Sequence, residues 1–227
     1  KGLAEIACDS WGGWVWVNMS PHPQPLVEFL GPVATEMAQF QPESLRLVGT
    51  DHRVVECNWK VAIEAFQEVY HFRFIHDRGG LSVLDSRGAT MGLLPNGNSR
   101  MVTPQSKHVV EAGGRTSWRD LQVLPDPYGF EPIPTVHPIV HSTSYAFTIF
   151  PNVITPVAAA GFPWLLFFPD GPDRTNIRIY HYSSPQNADM REAWGRRIAG
   201  FGAIIDEDVA NLNPIGRAMR SPLYHGV

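Results

Sequence analysis

Three apolar, strand-like runs divided by turn signals constrain the fold more than any other part of the sequence. They read TSYAFTIFPNVI (143–154), PWLLFF (163–168) and TNIRIYHYS (175–183). The turn-rich PDGPDR (169–174) joins the last two runs and predicts a β-hairpin. Apolar runs that reverse direction at short turns are typical of an antiparallel sheet.

A long amphipathic helix is predicted after the last strand, from Asn187 to about Leu212. Asn187 is the predicted N-cap, and Asp189 and Glu192 lie in the opening turns, where the helix dipole favours acidic side chains. Strands followed by a helix predict an α+β fold, in which helices pack on one side of an antiparallel sheet.

The N-terminal half carries shorter signals. Residues 14–17 alternate and predict a strand after a Gly-Gly bend, and SLRLVG (44–49) and HRVVECNW (52–59) are two further predicted strands. A proline-broken connection at 20–31 leads into a short predicted helix. Residues 77–140 scatter turn signals between short apolar runs, which predicts functional loops or a flap over a site.

The composition excludes several classes of function. The 227 residues are 44% hydrophobic and 18% charged with a formal charge of −4, which is typical of one globular domain spanning 1–227. No basic run indicates nucleic acid, and no apolar stretch approaches the ~20 residues of a membrane span. Cys8 and Cys57 form no CxxC pair, and free buried thiols in a reducing cytoplasm are preferred over a disulfide, so a cytoplasmic protein is expected.

The segment EAFQEVYHFRFIH (64–76) combines bulky apolar side chains with two glutamates and two histidines. Its apolar positions recur at spacings of three and four and predict a helix from Lys60 to about His71. These positions are Ile63, Phe66, Tyr70 and Phe74.

Three titratable side chains share a neighbouring face of that predicted helix. At about 100° per residue, Glu64, Glu68 and His71 fall within about 60° of one another. His76 lies about 140° from His71, so the helix must end or bulge between the histidines if both face one centre. The glycine pair at 79–80 favours a helix end close to that point.

A carboxylate interrupts the apolar stripe of the C-terminal helix. The stripe consists of Trp194, Ile198, Phe201 and Ile205. The next step of three leads to Asp208, whereas Asp206 and Glu207 are predicted to rotate away from this core-facing line. A buried aspartate needs a metal, a cation or several hydrogen-bond donors, so Asp208 predicts a partner.

Two imidazoles and one carboxylate can hold non-haem Fe(II), with open positions for O₂ and substrate, and the same set can hold Zn²⁺. Simpler explanations remain open on the residues alone. A histidine can be a hydrogen-bonded core residue, Asp208 a cap or salt-bridge residue, and Glu64 a solvated partner of Lys60. Spacing by itself therefore indicates a metal site without deciding for one.

A longer match narrows these alternatives. NWKVAIEAFQEVYHFRFIH (58–76) resembles the iron-binding signature of the Rieske non-haem iron oxygenases, the large subunits of aromatic-ring-hydroxylating dioxygenases and their monooxygenase relatives. WGGWVWVNMSPHPQPLVEFLG (11–31) resembles the segment that follows the Rieske domain in that family. FPNVI (150–154) and FFPDGPDRTNIRI (167–179) resemble its central strands, and DEDVANL (206–212) its final-ligand helix.

The resemblance implies His71, His76 and Asp208 as ligands of a mononuclear Fe(II). It implies that Glu68 is the catalytic acid that links an iron ligand to a cluster-binding histidine of the neighbouring subunit, a position usually held by aspartate. It also implies a helix-grip (Bet v 1/START-like) fold, a curved antiparallel sheet packed by a long C-terminal helix. The glutamine frequent after the final aspartate is not evident in NPIGRAMRS (213–221), which departs from the family pattern.

The implied reaction is hydroxylation of a small organic substrate by O₂ at the iron. Electrons would come from a [2Fe–2S] cluster, supplied by a ferredoxin, a reductase or both, in a homotrimer that in some members includes a small β subunit. This chain has no Cys-x-His…Cys-x-x-His pair, so the cluster is expected in an upstream domain. Phe66, Phe72 and Asn152 are predicted to line the pocket of an apolar or aromatic substrate, although Arg73 and Arg100 could instead recognise a carboxylate.

Two other functions compete with this prediction. A helix-grip protein can hold an apolar ligand without redox chemistry, and a hydrolase can use Zn²⁺ in the same triad. Zinc needs no electron partner, so a hydrolase would leave the position of Glu68 unexplained.

Overall fold

The computed structural model describes residues 2–3, 5–76, 83–114, 117, 119–120 and 125–225. Its strands are β1 (Ala7–Trp11), β2 (Trp14–Asn18), β3 (Arg46–Val55), β4 (Thr90–Leu93), β5 (Ser99–Pro104), β6 (Thr143–Ile149), β7 (Val153–Val157), β8 (Gly161–Pro169) and β9 (Thr175–Ser183). Its helices are α1 (Leu26–Leu30), α2 (Pro32–Met37), α3 (Trp59–Glu64), α4 (Phe72–Ile75), α5 (Lys107–Ala112) and α6 (Arg191–Met219).

Seven strands form one antiparallel sheet in the order β3-β9-β8-β7-β6-β5-β4, and β1 and β2 form a separate hairpin. The α+β fold with a long C-terminal helix is therefore confirmed, and so is the hairpin between β8 and β9. No helix in the described part of the chain has the length and apolarity that crossing a membrane requires.

The two faces of the sheet carry separate apolar cores. Along β8, Phe162 and Trp164 point into a cluster with the β1–β2 hairpin, α1 and α2, while Leu165 and Phe167 point into a cluster with α3 and α6. Alternate residues of a strand face opposite sides, which explains why β8 is buried almost throughout. The histidines and carboxylates predicted as site residues lie on the side of the sheet that α3 and α6 cover.

The apolar stripe of α6 packs as predicted. Trp194 and Ile205 are buried, Ile198 and Phe201 are partly buried, and the next position of the stripe, Asp208, is only 6% exposed. This face of the helix therefore packs against the rest of the protein over about four turns. The prediction that this stripe continues into a buried carboxylate is confirmed.

The ends of α6 differ from the prediction. Asn187 is not the N-cap, because the helix begins at Arg191 after Met190, which makes no side-chain cap. The Asn187 side chain instead bonds the backbone of Glu131, accepting from its N–H and donating to its carbonyl. The helix also continues past Leu212 to Met219, through Pro214.

Several strand predictions need correction. The run 143–154 is not one strand but β6 and β7, joined by a turn at 150–152, and the two runs predicted at 44–49 and 52–59 are one strand, β3. Within 77–140 the sequence signals missed β4, β5 and α5, because turn residues hid short elements that pairing stabilises. The glycine pair at 79–80 lies outside the described residues.

The two cysteines are free, as predicted, but only one is buried. Cys57 lies in the core beside α6, and burial raises the pKa of its thiol to about 11. Cys8 is exposed on the hairpin, so the expectation that both thiols are buried is wrong for it.

A close contact with a glycine fixes α6 against the segment that leads into α3. A Cβ atom at Gly216 would lie 2.1 Å from the carbonyl oxygen of Glu56 and 2.6 Å from Cβ of Cys57. These distances are far below van der Waals contact, so only glycine lets the helix come this close. The approach holds the two chain segments that carry the candidate site.

We therefore expect Gly216→Ala to lower the free energy of unfolding by about 1–3 kcal/mol, because the methyl group forces backbone to move. Gly195→Ala is the matched control on the same helix, since a Cβ there meets nothing within 4 Å. That change should raise stability by about 0.5–1 kcal/mol through helix propensity. Urea unfolding measures both, and equal effects of the same sign would contradict the contact.

A buried histidine makes stability depend on pH. His181 on β9 is 3% exposed, its ring edge packs on Phe201 of α6, and its Nε2 has no hydrogen-bond partner in the described chain. Burial lowers the pKa of His181 to about 4; the nearby Asp51 acts to raise it and Arg197 to lower it. The folded state therefore binds this proton less readily than the unfolded state.

This pKa shift contributes stability that is fully present above pH ~6.5, the unfolded pKa, and is lost as pH falls toward about 4. We expect the difference in unfolding free energy between the natural chain and His181→Leu to change by about 3 kcal/mol across that window. Urea unfolding at several pH values measures it. Parallel pH curves for the two proteins would show that His181 does not titrate this way.

Candidate metal centre

The chain from Trp59 to Ile75 forms two short helices instead of the single helix predicted to His71. α3 ends at Glu64, and Tyr70 and Phe74 are 71% and 69% exposed, so the predicted apolar stripe is wrong beyond its first half. Between α3 and α4, side-chain hydrogen bonds replace helical ones. The Glu68 carboxylate accepts hydrogen bonds from the backbone N–H groups of Tyr70 and His71, which a continuous helix would pair with carbonyls.

The two histidines stand at opposite ends of the one-turn helix α4. His71 immediately precedes Phe72 and accepts the backbone N–H of Ile75, while His76 follows Ile75 and its N–H bonds the carbonyl of Phe72. The predicted helix end between the histidines is met, because α4 ends at Ile75, and the chain is interrupted a second time before His71. A single turn between them brings their rings to a centroid separation of 5.1 Å.

Asp208 of α6 meets both imidazoles. Its Oδ1 lies 3.0 Å from Nε2 of His76 and 3.5 Å from Nε2 of His71. One ligand atom from each of the three residues lies within 4.8 Å of the other two. His76 is fully buried and the side chains of His71 and Asp208 are about nine-tenths buried. The two imidazole rings are therefore the hydrogen-bond donors that this buried carboxylate needs.

This donor set fits a divalent metal ion. Donor atoms bound to one ion at about 2.1 Å and at right angles lie about 3 Å apart, close to the two observed nitrogen–oxygen distances. Two imidazoles and one carboxylate suit ferrous iron, and zinc accepts the same groups. The fold brings together the three residues that the sequence predicted as candidate ligands.

Each histidine also has a glutamate on its other ring nitrogen. The Glu68 carboxylate contacts Nδ1 of His71, and Oε2 of Glu207 lies 2.5 Å from Nδ1 of His76. Glu207 lies off the core-facing line of α6, as predicted, and still reaches the site through His76. No sequence signal identifies this contact, because Glu207 does lie off the apolar line and His76 reaches it from another element.

The carboxylates favour positive charge at the imidazoles. Burial opposes the charged form of His71, but hydrogen bonds to Asp208 and Glu68 outweigh burial and raise the pKa of His71 to about 9. Burial also opposes protonation of His76, yet its bonds to Asp208 and Glu207 raise its pKa. Burial would raise the pKa of Asp208, but the two imidazoles lower it. A cation between these groups supplies the charge that they favour.

A cavity of about 330 Å³ opens beside His71. It is lined by Val61, Glu64, Ala65, Glu68, Tyr70, His71, Asp208, Asn211, Leu212 and Ile215. The cavity thus combines apolar walls from α3 and α6 with two glutamates, and it is bordered by two of the three triad residues, His71 and Asp208.

The three predicted pocket residues lie in different places. The Phe72 ring packs edge-on against both histidines, with centroids 5.0 and 5.7 Å away. Phe66 packs on Phe167 in the core cluster that α3 and α6 share with the sheet. Asn152 lines a second, larger groove of about 830 Å³ next to the β1–β2 hairpin, and its amide donates to the carbonyl of Phe167.

The two arginines considered for carboxylate recognition are already in contact with other groups. The Arg100 guanidinium pairs with Glu36, whose carboxylate also accepts from the Tyr145 hydroxyl. Arg73 stacks over the exposed ring of Phe74 at 4.8 Å. Neither residue lines the cavity beside the triad.

Comparison with known families decides the identity of the domain. The family model described as "Ring hydroxylating alpha subunit (catalytic domain)" matches residues 42–227, a span that contains the whole triad. The chain belongs to this family. The resemblance to the Rieske non-haem iron oxygenases is thereby confirmed, and the chain is the catalytic domain of an enzyme of the ring-hydroxylating alpha subunit family.

Two curated relatives of this ring-hydroxylating domain are oxygenase subunits. Over 123 residues it is 28% identical to the 2-aminobenzenesulfonate 2,3-dioxygenase alpha subunit of Alcaligenes sp., covering 52% of this chain and 30% of that one. Over 75 residues it is 27% identical to the glycine betaine monooxygenase oxygenase subunit of Chromohalobacter salexigens, covering 33% and 17%.

Solved structures share the fold of the ring-hydroxylating domain at low identity. A quaternary ammonium Rieske monooxygenase, studied for carnitine oxidation and inter-subunit electron transfer, superposes with a TM-score of 0.73 at 17% identity, covering 97% of this chain and 54% of that one. Naphthalene 1,2-dioxygenase from Rhodococcus sp. gives 0.67 at 17%, covering 95% and 54%. The chain thus spans about half the length of these oxygenase chains.

Proposed function

We propose that this domain uses Fe(II) and O₂ to hydroxylate an aromatic or other apolar organic substrate. The observation that carries the proposal is the meeting of His71, His76 and Asp208 around one point, inside a domain of the ring-hydroxylating family. A binding protein without redox chemistry has no use for a buried carboxylate between two imidazoles, since the group is costly to bury.

In this proposal His71 and His76 hold the iron through Nε2, and Asp208 holds it through its carboxylate. The iron, when bound, supplies the site at which O₂ is reduced and activated. The protein contributes the buried surroundings of the triad and the fixed orientation of each ring. The packing of Phe72 against both imidazoles excludes water from one side of the site.

Glu68 is proposed as the acid that connects the triad with the electron donor. Its carboxylate contacts Nδ1 of His71, it lines the cavity, and its side chain is 24% exposed. A group with one end on a ligand and the other near the surface suits a link to a [2Fe–2S] cluster outside this chain. The related quaternary ammonium monooxygenase was studied for inter-subunit electron transfer, which supports this role.

The remaining expectations follow from family membership. We propose electron supply by a ferredoxin or reductase, a homotrimer with or without a small β subunit, and a cytoplasmic location. For the pocket we retain Phe72, whose ring packs against both histidines, and Phe66, which packs on Phe167 in the core, although neither lines the cavity beside His71. Asn152 lies at the second groove, apart from that cavity.

The substrate class can be decided by a product assay. The apolar cavity walls favour an aromatic or apolar compound, while the names of the relatives include both aromatic and quaternary ammonium substrates. Full-length enzyme with its electron donors should be given naphthalene, 2-aminobenzenesulfonate, glycine betaine and carnitine. Hydroxylated product from an aromatic compound is expected; product from the ammonium compounds alone would contradict the apolar assignment.

For the metal, we expect the purified chain to contain about one mononuclear iron. We expect Asp208→Ala to lower the iron content of this site at least ~10-fold, because one of three ligands is removed. Glu192→Ala is the control, a carboxylate on the same helix with a 92% exposed side chain. Elemental analysis measures the metals. Full iron in the Asp208 variant would refute the ligand assignment, and zinc in place of iron would favour the hydrolase.

For Glu68, we expect Glu68→Gln to keep its iron and to lose ~10²-fold or more in turnover driven by the cluster, because the amide lacks the charge of the linking acid. The measurement is the rate of product formation in the full-length enzyme supplied with its electron donor, with Glu64→Gln as the neighbouring control in the same cavity. Unchanged turnover in Glu68→Gln would remove the linking role.

A further inference from the structure

The contact between Glu207 and His76 has a role that the family assignment does not supply. Oε2 of Glu207 lies 2.5 Å from Nδ1 of His76, and the imidazole is fully buried. The two residues are 131 positions apart in the chain, so the contact exists only because α6 packs against α4. A buried ring in contact with a carboxylate has a restricted orientation.

Glu207 holds a hydrogen on Nδ1 of His76. Both ring nitrogens face a carboxylate, but a metal ion that binds at Nε2 takes the place of the hydrogen there, while the hydrogen on Nδ1 stays bonded to Glu207. Nε2 is the atom that lies 3.0 Å from Oδ1 of Asp208. Glu207 therefore presents the nitrogen that can bind a metal ion to the position where the other ligands meet.

The same helix acts on His76 at both nitrogens. Glu207 contacts Nδ1 and the next residue, Asp208, contacts Nε2, so adjacent residues of α6 fix the ring. His71 is oriented differently, by Glu68 three residues earlier in its own segment. Orientation of His71 is thus local, whereas orientation of His76 depends on tertiary packing.

We propose that Glu207 is a positioning residue for His76 and thereby sets the affinity of the centre for its metal ion. This assignment rests on the proposed function, since it presupposes that the triad binds a metal. The negative charge of Glu207 next to the imidazole also strengthens the bond of that ring to a cation. Loss of such a partner typically lowers metal affinity 10–100-fold.

The experiment is an anaerobic titration with Co²⁺ of full-length protein that has lost its mononuclear metal and kept its [2Fe–2S] cluster, followed by the difference in visible absorption from the same protein without Co²⁺. Glu207→Gln keeps an acceptor for the Nδ1 hydrogen but removes the charge, and Glu207→Leu removes both. Asp206→Asn is the control, because this neighbouring carboxylate on α6 pairs with Arg53 instead of the site.

We expect the Co²⁺ dissociation constant to stay within ~2-fold of the natural value in Asp206→Asn, to rise about 10-fold in Glu207→Gln and up to about 100-fold in Glu207→Leu, with an altered absorption spectrum in the last. Thermal unfolding of the metal-free variants shows which are folded. Because glutamine keeps the shape of glutamate, Glu207→Gln decides the question if Glu207→Leu does not fold.

The outcomes separate this assignment from the proposed function. Equal affinities and equal spectra in the natural protein and Glu207→Gln would overturn the positioning role and leave the metal centre in place. Absence of Co²⁺ binding in the natural protein would overturn the proposed function, and the positioning role with it.

Discussion

The burial of Asp208 is the constraint on which the rest of the site depends. This carboxylate occupies the place of an apolar residue on the core-facing stripe of α6 and is only 6% exposed. A charge in that position requires partners, and in the described chain they are the imidazoles of His71 and His76. The three side chains are thus held together by the cost of separating them, which gives a metal ion a prepared set of donors.

The fold meets this constraint by holding two chain segments in close contact at one point. α6 lies along the sheet through its apolar stripe, and its close approach at Gly216 ties it to Glu56 and Cys57, just before α3. The short helices that follow carry the histidines to the same helix. Glutamates on both sides of the triad then orient the rings, one from the histidine segment and one from α6.

Much of the secondary structure could be predicted because its signals are local. The alternation in β9 and the turn before it, and the four-turn apolar stripe of α6, are properties of neighbouring residues. The errors occurred where other contacts override such signals. The Glu68 carboxylate accepts two backbone N–H groups inside the span predicted as helix, and the Asn187 side chain bonds Glu131 instead of capping α6.

The sequence by itself determined the family and the three candidate ligands, because the motif from Asn58 to His76 and the break in the stripe at Asp208 are patterns of residue type and spacing. Only the tertiary structure decided that Glu207 belongs to the site. A position on a helix tells which direction a side chain takes from the axis, but not which side chain of a distant segment will be there to meet it.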